Sequence, residues 1–315
     1  MAALENESQL ASAVLMIRPT CFASNPMTAA SNKFQGKSPK NPEQQNASAQ
    51  REFDELARSL QDAGINVVVI DDSAEPHTPD AVFPNNWVSF HADGRAVLYA
   101  MEAENRRTER RPDILSQLTS DFDFVVREVV DLSGHEQAGH YLEGTGSLVL
   151  DRINHVAYAC LSSRTHLDPL GDFAQRMDYD VLAFDATDRE GVPIYHTNVL
   201  MSVGEEMAAI CADAISRQDQ REAVLKSLKD SGRELIVLSF EQMEAFAGNM
   251  LELRAGDGTR LVAMSRQAYD SLDSVQRALL EANGGVITSD IGTIEASAGG
   301  SVRCMLAEIH LPVSH

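Results

Sequence analysis

Phe83-Pro84-Asn85-Asn86-Trp87-Val88 runs from a proline through two asparagines into apolar residues. Proline fixes φ and asparagine tolerates turn geometry, so the stretch reads as a polar turn opening a strand. The same texture returns at Glu143-Gly144-Thr145-Gly146-Ser147-Leu148, His196-Thr197-Asn198-Val199-Leu200, Gly248-Asn249-Met250-Leu251 and Arg303-Cys304-Met305-Leu306. About 50 to 60 residues separate successive copies, a spacing at which repeat architectures must be considered. If each copy opens an equivalent inner strand, the polar ends converge on one axis. Residues far apart in sequence then share one pocket.

Working outward, short apolar runs predict strands at 13–17, 66–70, 87–90, 96–99, 147–150, 155–159, 199–203, 234–238, 250–253, 260–264, 286–288 and 305–309. Helical patterns lie between several of them. Phe53, Leu56 and Leu60 share one face, and Gly64 follows as a residue just past a helix C-cap. Further helices are expected at 205–215, 220–228 and 267–282. This alternation argues for α/β or α+β architecture in one domain spanning residues 1–315. The stretch 25–46, rich in Ser, Asn, Pro and Lys, is expected to be a long loop and a lid.

The chain has 315 residues and a net charge of −21. Such a field repels a phosphate backbone, so nucleic acid is not an expected partner. Arg106-Arg107 and Arg110-Arg111 form a basic cluster, but acids interleave it and it reads as the start of a solvated helix. No apolar run reaches the roughly 18 residues that would span a bilayer. The first residues do not read as a secretory signal. Four widely spaced cysteines without a CxxC pair fit free thiols, and a cytoplasmic location is expected. No cofactor or metal is expected. His135 and His140 are five apart with Gly139 between them, so they miss the four-residue spacing of a zinc-protease helix.

Cys304 follows Ala298-Gly299-Gly300-Ser301-Val302-Arg303, a glycine-rich approach that lets a ligand come close. Arg303 favours its thiolate if the side chain turns inward. The competing reading is a buried, inert thiol, the usual fate of a free cysteine. Cys21, Cys160 and Cys211 look ordinary. His196 heads a strand, where it can serve as general acid and base, or simply be a hydrogen-bonded histidine. Glu143 lies in a glycine-rich turn, where it can orient a histidine or be a solvated acid.

Together these motifs resemble the amidinotransferase, or pentein, superfamily of guanidino-modifying enzymes, most nearly its citrulline-utilisation hydrolase branch. The resemblance runs from Met16-Ile17-Arg18-Pro19 to Cys304-Met305-Leu306-Ala307-Glu308-Ile309. It implies a five-bladed pseudosymmetric α/β propeller with the active site on its axis. It also implies Cys304 as nucleophile, His196 as general acid and base, and Glu143 as the acid supporting it. Asp80 matches a residue that holds the substrate α-amino group. Arg106 and Arg164 fall where relatives bind the α-carboxylate. Asn85 and Asn86 complete the substrate contacts with Asn198.

Deiminases of this superfamily carry aspartates where Asn86 and Asn198 stand, and those acids grip a guanidinium. Asparagine brings no charge but both donates and accepts, which suits a neutral ureido group. The expectation is a hydrolase that converts L-citrulline to ornithine, carbon dioxide and ammonia through a covalent cysteine adduct. The alternatives are an arginine dihydrolase, a deiminase-like hydrolase of arginine, an amidinotransferase and a non-catalytic binding member of the fold. The small amino acid is the expected partner, and homo-oligomerisation is left open.

Overall fold

The computed structural model describes residues 7–36, 41–282 and 284–314. Among them are five three-stranded sheets. In chain order the strands are β1 Ala13–Arg18, β2 Asn66–Asp71, β3 Val88–Phe90, β4 Arg95–Leu98, β5 Glu128–Asp131, β6 Val149–Asp151, β7 Val156–Cys160, β8 Asp180–Phe184, β9 Met201–Val203, β10 Met207–Ile210, β11 Glu234–Val237, β12 Leu251–Arg254, β13 Arg260–Ser265, β14 Gly285–Ser289 and β15 Ala307–Ile309.

Every sheet repeats one plan. Two strands pair antiparallel, and a third adds in parallel to the second: β3-β4-β5, β6-β7-β8, β9-β10-β11, β12-β13-β14 and β15-β1-β2. A parallel neighbour cannot be reached by a tight turn, so each sheet needs a helical crossover. These are Pro42–Asp62, Pro112–Ser120, Leu167–Met177, Gln218–Asp230, and the pair Arg266–Ser271 with Ser274–Ala282. This is the five-bladed pentein propeller. In the fifth blade the C-terminal β15 pairs with the N-terminal β1, Ala13 opposite Ile309, so the chain's two ends close the ring.

The burial pattern explains the layering. The inner strands β3, β6, β12 and β15 are almost wholly buried, whereas the outer β5 and β11 expose every residue but one or two. The crossover Pro42–Asp62 shows how one helix is specified. Asn41 caps it by accepting from Gln44 N at 2.9 Å, and Pro42 occupies the first turn, where its missing N–H costs nothing. Phe53, Leu56 and Leu60 are fully buried beneath it. Gly64, at φ +85°, ends it as expected.

Three expectations need correction. The loop expected at 25–46 ends at Asn41, because Asn41 and Pro42 start the helix there; residues 37–40 lie outside the described set. The helix expected at 205–215 is instead β10 followed by a 3-10 turn, Ala212–Ala214, because Met207–Ile210 sits between β9 and β11 and all four residues are buried. The helix expected at 267–282 breaks at Leu272-Asp273. No helix among the described residues is long and apolar enough to cross a membrane.

Candidate active site

The five repeated turns do not run straight into strands. Each first makes one tight turn: Pro84–Asn86, Gly144–Ser147, Thr197–Leu200, the Phe246–Asn249 turn closed by Asn249 N to Phe246 O at 2.8 Å, and Val302–Met305. These turns bring Asn86, Gly146, Asn198, Asn249 and Cys304 together. Nδ2 of Asn198 and of Asn249 donate to Cys304 Sγ at 3.5 and 3.3 Å, and Asn249 Nδ2 also reaches Asn198 O at 3.0 Å. A Cβ added at Gly146 would stand 2.6 Å from both Asn86 Nδ2 and His196 Nδ1. Gly146 therefore keeps open the space between that amide and that imidazole.

His196 is buried, and its Nε2 lies 2.9 Å from Glu143 Oε2. Burial pushes the His196 pKa down, Glu143 pulls it back, and the net direction is downward. Glu143 is fully buried. Burial raises its pKa, but Arg164, His196 and Arg106 outweigh that and hold it below the usual carboxylate range. Arg164 Nη1 lies 3.4 Å and Arg106 Nη1 4.0 Å from Glu143 Oε2, while Oε1 accepts from Glu102 N at 3.0 Å.

Cys304 is buried but lines a small cavity with Thr28, Asn32, Asp80, Phe83 and Asn86 among its walls. Arg106, Arg164, Tyr195, His196, Ala298 and Gly300 complete that wall. Its free volume, about 10 Å³, holds roughly one water molecule. Elsewhere in the core, burial pushes the Cys160 thiol up to about 12 and Cys211 up to about 11.

The remaining expected residues fall into two groups. Asp80 and Arg164 face the cavity but are engaged by the Asn25–Gly36 loop. Asp80 Oδ2 accepts from Asn25 Nδ2 at 2.8 Å, and its Oδ1 has no hydrogen-bond partner. Arg164 donates from Nε and Nη2 to Ser31 Oγ at 3.1 and 2.8 Å, and from Nη2 to Thr28 O at 3.2 Å. Asn32 Nδ2 ties the same loop to Ala298 O at 3.0 Å. On the loop's other side, Lys33 and Phe34 line a cleft of about 660 Å³.

Asn85, Arg106 and Arg303 are used differently from what the sequence suggested. Asn85 stands behind Asn86, accepting from its Nδ2 at 2.9 Å, and is not part of the cavity wall. Arg106 is 2 % exposed, the opposite of a solvated helix start, and its donors are taken by protein acceptors. Arg303 is held by Glu308, 2.7 Å away, and by the Leu306 carbonyl at 2.8 Å, with that buried carboxylate as its counter-charge.

Sequence reasoning missed Asn249 as a site residue. The available signal was its register: it holds the same place in its repeat as Asn86, Asn198 and Cys304.

A model of the family described as N,N dimethylarginine dimethylhydrolase, eukaryotic, matches residues 18–311. No curated protein sequence matches the chain. Among solved structures, the chain is similar to ArgZ, an arginine dihydrolase from the ornithine-ammonia cycle in cyanobacteria, at 17 % identity and TM-score 0.73. That match covers 96 % of this chain but 41 % of ArgZ, so the chain spans less than half of the full-length relative. The isolated ArgZ N-terminal domain, a cysteine-to-serine variant bound to substrate, gives 16 % identity and TM-score 0.71 over 95 % of this chain and 99 % of that one. A histidine-to-glycine variant of dimethylarginine dimethylaminohydrolase, as its adduct with S-methyl-L-thiocitrulline, gives 14 % and 0.63 over 95 % and 99 %.

Proposed function

Because the chain belongs to the N,N-dimethylarginine dimethylhydrolase family of cysteine-dependent C–N hydrolases, we propose that it hydrolyses the ureido group of L-citrulline to ornithine, carbon dioxide and ammonia. One observation carries the choice of substrate. Next to the sulfur stand neutral amides, Asn198 and Asn249 donating to it and Asn86 in the cavity wall; of the two carboxylates nearby, Glu143 already faces His196, Arg164 and Arg106, and Asp80 is assigned to the α-amino group. A neutral head group needs no further counter-charge. A buried guanidinium does.

In this reading the thiolate of Cys304, held by two amide N–H groups, attacks the ureido carbon. Amide donors stabilise the tetrahedral oxyanion. His196 gives a proton to the departing ammonia, leaving a thiocarbamate that joins Sγ to the ornithine nitrogen. His196 next takes a proton from water, which attacks the same carbon and breaks the C–S bond. The N-carboxyornithine released loses carbon dioxide, so one water is consumed overall. A carboxylate only accepts, so Nε2 of His196 carries the proton facing Glu143 and Nδ1 is the working nitrogen. Asp80, through its unpartnered Oδ1, takes the α-amino group, and Arg164 takes the α-carboxylate.

A cavity that holds one water cannot admit an amino acid, so the Asn25–Gly36 loop is the lid in this account. Ser31 and Thr28 occupy the Arg164 donors until substrate displaces them.

The second reading, an arginine dihydrolase, is favoured by the likeness to ArgZ. Product counting separates the two. Purified protein is given citrulline or arginine in parallel, and ornithine and ammonia are measured. The ureido reading expects one ammonia per ornithine from citrulline and little turnover of arginine. Two ammonias per ornithine from arginine would replace it with the dihydrolase, and citrulline accumulating from arginine would indicate a deiminase.

A further inference from the structure

Arg106 uses its guanidinium on the protein itself. Nε and Nη2 hold the two oxygens of Glu109 at 3.0 and 2.9 Å. Nη2 also reaches the carbonyls of Phe83 and Asp80 at 3.3 and 3.4 Å. Nη1 donates to Asn86 Oδ1 at 2.8 Å. A guanidinium has donors only, so the Asn86 atom that faces it must be oxygen. The planar amide then places its nitrogen on the other branch. That nitrogen gives one hydrogen to Asn85 Oδ1 and borders the space beside Gly146, across which lies Nδ1 of His196.

We propose that Arg106 is a positioning residue that sets the substrate class: by holding the amide oxygen of Asn86, it aims the amide N–H₂ at the head group and makes that wall a donor to a carbonyl oxygen. The inference rests on the ureido reading above and extends it to the residue that enforces the choice. A ureido oxygen accepts from such a wall. The nitrogens of a guanidinium do not, so arginine would set donor against donor in a buried site. Asparagine alone carries no such preference, because a free amide can turn over. The cation facing its oxygen removes that freedom.

The surroundings keep Arg106 in this role. Burial lowers its pKa, but Glu109, Asp80 and Glu143 raise it further, so it stays charged. Asp80 Oδ2 lies 3.8 Å from Nε, and Glu143 Oε2 4.0 Å from Nη1. Moving this guanidinium onto a substrate carboxylate would strip buried acids of their counter-charge.

The test uses two variants and four substrates. Arg106→Lys keeps the buried charge but replaces the planar fork with a point donor. The double variant Arg106→Met/Glu109→Met removes both members of the buried pair together, which is milder than orphaning one. The substrates are citrulline, arginine and their decarboxylated forms, N-carbamoylputrescine and agmatine. We expect the kcat/KM ratio of citrulline to arginine to fall by about tenfold or more in a folded variant. N-carbamoylputrescine should lose as much activity as citrulline, since the damage is at the head group. A carboxylate clamp predicts the reverse: citrulline and arginine lose equally, and N-carbamoylputrescine is spared. That result would overturn the assignment while leaving the ureido reading intact. A wild-type enzyme that turns over arginine but not citrulline would defeat the ureido reading and this inference with it. Arg106→Lys retains the charge that the neighbouring carboxylates need, so its ratio decides the matter if the double variant does not fold.

Discussion

Nε2 of His196 lies 2.9 Å from Oε2 of Glu143, and both side chains are fully buried. The carboxylate fixes both the ring orientation and the tautomer, and its charge offsets part of the burial that depresses the histidine. Glu143→Gln removes the interaction that raises the His196 pKa. The alkaline limb of the kcat/KM profile, where His196 loses the proton it gives to ammonia, should therefore move to lower pH, with a drop at the optimum of about 10²–10⁴-fold. A limb that stays put or moves upward would remove Glu143 from the proton-transfer pair.

Gly146 is where a single methyl group tests the arrangement of the axis. A Cβ there would meet Asn86 Nδ2 and His196 Nδ1 at 2.6 Å. Gly146→Ala should cost stability by about 1–3 kcal/mol through overpacking. It should cut kcat by about 10²-fold, because a misplaced base is poorly tolerated. Near-normal turnover in a folded Gly146→Ala protein would show that this space is not used by the reaction.

Asn249 donates to Cys304 Sγ at 3.3 Å and was not legible as a functional residue. Asn249→Ala should slow alkylation of Cys304 by iodoacetamide at neutral pH, because the thiolate loses a donor. The site of modification is read by peptide mass spectrometry. Equal or faster alkylation would mean the contact does not stabilise the anion.

Ser31 bridges Nε and Nη2 of Arg164 through one oxygen. If that oxygen holds the place of the substrate carboxylate, Ser31→Ala should lower KM for citrulline by about threefold to tenfold, the net worth of a hydrogen bond of about 1 kcal/mol. An unchanged or higher KM would argue that Ser31 helps closure and does not compete with substrate.

His91 gives a stability prediction away from the cavity. Burial pushes its pKa well below the ordinary value of 6.5, assisted by the charges of Arg152, His310 and Arg95. The unfolded chain binds a proton at 6.5 that the folded chain refuses. The stability held above pH 6.5 is therefore lost as pH falls through the lower folded value. Thermal melts from pH 7.5 to 5 should show this loss, and His91→Asn should flatten the slope. A variant with an unchanged slope would place the acid sensitivity elsewhere.

The five blades were legible because the turn-plus-strand texture repeats, and a repeat survives errors in any one element. The convergence of Cys304, His196, Glu143, Asn86 and Asn198 follows from that same register. What was not legible depends on three-dimensional pairing. Arg106 looked solvated because acids interleave its cluster, yet one of them, Glu109, is its buried partner. The segment 205–215 looked helical because a four-residue buried strand has no clear period. The end of the 25–46 loop was missed although Asn41 and Pro42 carry a helix-start signal, because the polar Gln44, Gln45 and Asn46 after them gave no apolar face to notice.

The central claim is that the sulfur of Cys304 bonds covalently to the ureido carbon, and it has a direct measurement. The protein is mixed with citrulline carrying carbon-13 at the ureido position, quenched in acid within the first turnovers, digested and analysed by mass spectrometry. The account predicts the labelled carbon on the peptide containing Cys304, and no label in Cys304→Ser. Release of ornithine with no labelled cysteine peptide, or with the label on another residue, would contradict it.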